Sequence, residues 1–203
     1  MLRDRINMAA RKLPTWPVYI VGLIPMGLLF YMGLTGALGP EPIKALEHEY
    51  GELALKLLIA GLAIPPLRRL GGVNLLKFRR ALGLLAFAYV TAHLLVWLVL
   101  DIGDVARIWA DIIKRPYMTV GMAGFILLVP LAVTSNKRSI RAMGAGWRKL
   151  HRLVYPAVIL GGVHFVMLVK GWQIEPLIYL AVILGLVAVR YKGASRCMTP
   201  ARG

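Results

Sequence analysis

Histidine is costly inside a bilayer, because its ring can ionise and its two nitrogens each need a partner. The chain has four histidines, and two lie within long apolar runs: His93 in RRALGLLAFAYVTAHLLVWLVLD and His164 in WRKLHRLVYPAVILGGVHFVMLVK. A third, His151, starts the same run as His164, and His48 sits in the polar loop EPIKALEHEYGE, where it reads as a surface histidine. A neutral imidazole in such a place either bonds a neighbouring helix or ligates a metal. Depth in the membrane separates these roles, so the elements that carry the histidines come next.

Of the 203 residues, 59% are hydrophobic and mean hydropathy is +0.69, which indicates an integral membrane protein. Crossing a bilayer core takes roughly 20 apolar residues. Six segments meet or approach that length: Pro17 to Leu38, Glu52 to Pro66, Arg80 to Leu100, Tyr117 to Ser135, Leu150 to Val169 and Ile174 to Arg190. The second is the weakest, with Lys56 inside it and Pro65-Pro66 expected to end it early. The first runs on into TGALGPEP without a cleavage site and reads as an uncleaved span. The fold class is therefore all-α, a six-transmembrane helix bundle over 17–190. A segment at 1–16 precedes it and a basic tail at 191–203 follows.

Net charge is +16, and its distribution explains it without nucleic acid. Arg3, Arg5, Arg11 and Lys12 precede span one. Arg68, Arg69, Lys77, Arg79 and Arg80 follow span two, and Lys137, Arg138, Arg141, Arg148, Lys149 and Arg152 lie between spans four and five. Arg190, Lys192, Arg196 and Arg202 close the chain. In a six-span topology all of these fall on one side, which the positive-inside rule makes cytoplasmic, so both termini are expected there. Apart from Asp4, every acidic residue falls on the opposite side: Glu41, Glu47, Glu49, Glu52, Asp101, Asp104, Asp111 and Glu175. The single cysteine, Cys197, excludes a disulfide framework and a CxxCH haem attachment. No nucleotide-binding or hydrolase motif stands in a suitable context.

Spans three and five enter from the same side. His93 lies thirteen residues past Arg80, roughly 20 Å in at 1.5 Å per residue. His164 lies fourteen residues past Leu150, roughly 21 Å in. Two level imidazoles on parallel helices suit the axial ligation of haem b between them. The alternative for each alone is a hydrogen bond to another helix. His151 lies at the cytoplasmic edge, where a second haem would need another ligand, and Arg79 and Arg80 occupy that level on span three. Arg79, Arg80, Arg148 and Arg152 are candidates for haem propionates or a flavin phosphate. Gly83, Ala86, Gly121, Gly124, Gly161 and Gly162 either admit a flat cofactor or let helices pack closely. Trp16, Trp97, Trp109, Trp147 and Trp172 are placed as an interfacial belt.

The segments GELALKLLIAGLAIPPLRR, FRRALGLLAFAYVTAHLLVWLVLD, KRPYMTVGMAGFILLVPLAVTS and WRKLHRLVYPAVILGGVHF resemble the MsrQ (YedZ) family. These are haem-binding membrane subunits of the MsrPQ protein-methionine-sulfoxide reductase system, within the wider ferric-reductase-like transmembrane group. That group stacks two haems on two histidines from each of spans three and five. His93, His151 and His164 match three of the four positions, and the fourth falls near Arg79 or Arg80. The resemblance implies a haem b subunit of the bacterial inner membrane, with FMN as a further cofactor. It would pass electrons from the quinone pool or a cytoplasmic flavin reductase to MsrP, a periplasmic molybdopterin enzyme. About thirteen residues follow span six, too few for a flavin and nicotinamide domain of its own. The other readings are a stand-alone transmembrane ferric or metal reductase and a non-redox transporter or scaffold.

Overall fold

The computed structural model describes residues 2–169 and 173–195, and these form ten α-helices with short 3-10 and π turns between some of them. The helices are α1 Leu2–Lys12, α2 Trp16–Leu34, α3 Pro42–Gly71, α4 Arg79–Leu95, α5 Val105–Lys114, α6 Pro116–Val133, α7 Lys137–Met143, α8 Ala145–Leu150, α9 Val154–Leu168 and α10 Ile174–Ser195. Five helical stretches among the described residues are long and apolar enough to cross a membrane: Trp16–Leu34, Pro42–Gly71, Leu76–Ile102, Pro116–Val133 and Ala145–Leu168. The chain is a multi-pass membrane protein. Where the sixth span was expected stands α10, which runs on to Ser195, so the tail expected from 191 begins inside a helix. Trp172, Cys197 and the rest of the tail lie outside the described residues.

Two expected boundaries are corrected in α3. The stretch EPIKALEHEYGE, read as a loop, is helix from Pro42 onward. Its Leu46, Tyr50 and Ala54 recur every four residues and are buried against α2 and α4. At the other end the helix passes through Pro65 and Pro66 and stops only at Gly72, whose φ of 68° makes the left-handed turn. Each proline removes one backbone hydrogen bond, and neighbouring helices and local adjustment make that tolerable in a membrane bundle. Lys56 is accommodated by a 2.5 Å ion pair with Glu52, which also accepts a 3.0 Å hydrogen bond from Tyr179 on α10.

The bundle is built from two antiparallel pairs, α3 with α4 and α6 with α9. One core joins them through Leu55, Leu58, Ala86, Leu128, Ala157, Val158 and, from α10, Ile183. Phe87 and Phe125 stack at 5.7 Å between the pairs. α2 has no buried residue, as expected of an outer helix facing lipid. It is tied on by hydroxyls: Tyr50 donates to the Met26 carbonyl at 2.7 Å and Tyr89 to the Gly22 carbonyl at 2.8 Å. After α4 the helix widens into a π turn, Val96–Ile102, closed by the Gly103 amide on the Leu98 carbonyl.

Opposite charges collect at opposite ends of the bundle. At the basic end Asn7 of α1 holds the α3–α4 turn, donating to the Gly72 carbonyl and accepting from the Asn74 amide. Lys77 donates to the carbonyls of Arg11 and Leu13. The acidic end holds the start of α3, the π turn and α5, an amphipathic helix capped by Asp104 with Trp109 and Ile113 exposed.

Candidate cofactor site

His93 and His164 meet between the two helix pairs, near the acidic end. Their ring centres are 6.2 Å apart and their planes are inclined at 83°. His93 Nδ1 lies 2.8 Å from the carbonyl oxygen of Glu47, and His164 Nδ1 lies 2.7 Å from that of Tyr117. A carbonyl only accepts, so in both rings Nδ1 carries the proton and Nε2 keeps a free lone pair. This is the tautomer a metal-ligating histidine needs, fixed by the partner of its other nitrogen.

Both histidines line a cavity of about 130 Å³. Its wall is largely apolar, from Leu55, Leu58, Val90, Phe125 and Leu128, with polar groups at Glu47, His48 and Glu52. A metal–imidazole bond is roughly 2.0 Å, so two imidazoles on opposite sides of one metal ion have ring centres roughly 6 Å apart. The observed 6.2 Å agrees. Among the described residues no cluster of three or more histidine, cysteine or carboxylate groups can hold a metal ion. A donor set of two neutral imidazoles suits a metal that brings its remaining ligands in a macrocycle, as haem iron does. Trp97, one turn beyond His93, also lines the cavity. It is 4% exposed and its indole N–H has no hydrogen-bond partner among the described residues. The residues present therefore fit a haem-like group, with one donor left over for a polar edge of it.

The other expected site residues separate. His151 lies at the basic end, stacked on Trp147 with ring centres 3.9 Å apart. Its Nε2 is 3.0 Å from the Thr134 hydroxyl, which itself donates to the Pro130 carbonyl. His151 Nε2 is thus the donor of that bond, and the ring is held between α6 and α8. Arg79 is half-buried, within electrostatic reach of Arg190, Tyr155 and His151, whereas Arg80, Arg148 and Arg152 face outward. Arg190, which the sequence reading counted only as tail charge, places its guanidinium 5.2 Å from the Tyr155 ring centre. Its Nη1 is buried without a hydrogen-bond partner among the described residues.

Three sequence expectations change. His48 is exposed, as expected, but it stands on α3 at the cavity, edge-on to Phe165 at 5.7 Å. Trp97 leaves the interfacial belt for the cavity wall, because four residues after His93 it falls on the same helix face. Trp16 and Trp109 remain exposed. The small residues divide by function: Gly162 admits Ile183 and Leu180 of α10, Gly124 packs against Ala157, and Gly121 lies against the His164 ring. A Cβ on Gly83 would meet nothing within 4 Å.

The family model for the ferric reductase like transmembrane component matches residues 50–162. Among curated proteins the chain is 47% identical over 176 residues to the protein-methionine-sulfoxide reductase heme-binding subunit MsrQ of Brucella anthropi, covering 86% of this chain and 80% of that one. The proteins of the same name from Brucella ovis and Brucella canis are each 48% identical over the same coverage. No solved structure matches.

Proposed function

Because the chain belongs to the MsrQ family of ferric-reductase-like membrane proteins, we propose that it is a cytochrome b subunit carrying electrons to a periplasmic methionine sulfoxide reductase. The observation that carries this reading is the His93–His164 pair, 6.2 Å apart with both Nδ1 atoms held by carbonyls. Electrons enter from the quinone pool or a cytoplasmic flavin reductase, cross the bacterial inner membrane, and leave to MsrP for repair of oxidised periplasmic proteins. The bundle has six spans with both termini in the cytoplasm, and the basic end is the cytoplasmic end.

Haem b, when bound, supplies a one-electron iron couple. His93 and His164 would hold it through Nε2, since the carbonyls of Glu47 and Tyr117 keep each ring in the tautomer that leaves Nε2 free. Leu55, Leu58, Val90, Phe125 and Leu128 exclude water from the ligands. At the cytoplasmic end the half-buried Arg79 would pair with haem propionates or the phosphate of FMN, with Arg80, Arg148 and Arg152 exposed at the same end; His151 would join a second haem there only by giving up its Nε2–H bond to Thr134.

The test is a reduced-minus-oxidised visible spectrum of the purified protein with haem quantified per chain. A low-spin b-type spectrum lost in His93→Ala and in His164→Ala is the expected result. A colourless wild type despite adequate haem supply, or normal haem in both variants, overturns the assignment. Reduced protein should be reoxidised on adding purified MsrP together with methionine sulfoxide as the terminal electron acceptor, and left reduced by Fe(III) alone; the reverse result points to a metal reductase.

A further inference from the structure

The two haem-facing histidines are seated in the same way by different helices. His93 reaches the Glu47 carbonyl of α3, and the residue four positions further along α3 is Gly51. His164 reaches the Tyr117 carbonyl of α6, and the residue four positions further along α6 is Gly121. A helical side chain tilts toward the N-terminus and covers the turn before its own Cα. A side chain at the fourth position therefore sits over the carbonyl, and glycine leaves it open. The fit is tight in both places. A Cβ on Gly51 would lie 3.1 Å from His93 Nδ1 and 3.3 Å from its Cε1; on Gly121 it would lie 2.8 Å and 2.9 Å from the same atoms of His164.

We infer that Gly51 and Gly121 are positioning residues for the axial ligands, each opening a helix carbonyl so that an imidazole from the neighbouring helix docks against bare backbone. The inference rests on haem ligation by His93 and His164. Methyl groups at these sites push the ring off its carbonyl, so the N–H···O bond, the tautomer and the direction of Nε2 are lost together. Gly121 is the stricter seat, since its clash lies below any ordinary Cβ contact, while at Gly51 the His93 ring would have to give by a few tenths of an ångström. Neither glycine has a positive φ, so alanine suits the local helix and the nearest atoms that its methyl group meets are those of the histidine ring.

The experiment compares Gly121→Ala, Gly51→Ala and, as a control, Gly61→Ala, where a Cβ meets nothing within 4 Å. Each full-length variant is purified with haem, checked for monodispersity, and read by visible spectrum, haem retained per chain and redox midpoint. Gly121→Ala is expected to lose haem retention by roughly tenfold or more and to shift what remains toward a five-coordinate, high-spin spectrum. Added imidazole should restore the low-spin form by filling the released position. Gly51→Ala should show a smaller change of the same kind, and Gly61→Ala none. A Gly121→Ala protein with wild-type spectrum, midpoint and retention overturns the inference while leaving the haem reading intact, provided His164→Ala loses haem. If His93→Ala and His164→Ala both keep normal haem, the haem reading itself fails and the inference with it. Equal loss in Gly61→Ala would assign the effect to general helix packing and also overturn it.

Discussion

At the scale of single residues, the buried indole of Trp97 makes an unusual demand. A buried donor left unpaired costs roughly 1–3 kcal/mol, and Trp97 has that cost among the described residues while lining the cavity. Phenylalanine removes the donor and keeps most of the packing. In haem-free protein Trp97→Phe is expected not to lower the thermal midpoint, whereas in haem-loaded protein it should lower it, and calorimetry of both forms checks this. His151→Ala, by contrast, loses its stack on Trp147 and its bond to Thr134, and should leave the spectrum of the His93–His164 site unchanged. The residue scale was legible where depth along a helix was enough. His93 and His164 were level by counting rise per residue, and the structure brings them together. The role of Gly51 was not legible, because it depends on the rotation of α3 against α4. The one trace in the sequence is spacing: Gly51 to His93 spans 42 residues and Gly121 to His164 spans 43.

At the scale of elements, polar ties set which helices stay together, since lipid competes for apolar surface as well as a neighbouring helix does. Tyr50 and Tyr89 each bond a carbonyl of α2, and their rings touch at 5.9 Å. Each Tyr→Phe change should cost about 0.6–1 kcal/mol, with the double variant departing from additivity because the rings are in contact. Unfolding in mixed micelles with a double-mutant cycle reads both quantities. The Glu52–Lys56–Tyr179 group ties α3 to α10. Glu52→Ala removes the counter-ion of Lys56 on a membrane-spanning helix, so Glu52→Ala should lower the thermal midpoint and a second change, Lys56→Leu, should recover much of the loss. Span existence was readable from hydropathy alone. The ends of α3 were not, because the stretch before Glu52 packs within the fold through Leu46 and Tyr50, and the helix passes through Pro65-Pro66 without ending there.

At the scale of the whole molecule, charge and topology agree. The alternation of basic and acidic segments along the sequence becomes two ends of one bundle, and only a chain that crosses back and forth produces that separation. What composition could not convey is that the bundle consists of two matched halves. α3 with α4 and α6 with α9 each contribute one histidine and one open carbonyl to hold it. Neither half contains both histidines. If the protein is cut at the turn of Gly103 and Asp104, between the halves, each fragment alone should remain colourless, and co-expression of the two should recover the pigment. Colour would then act as a record of assembly: a molecule whose halves have met in the wrong register stays pale and can be told from a correctly joined one by eye.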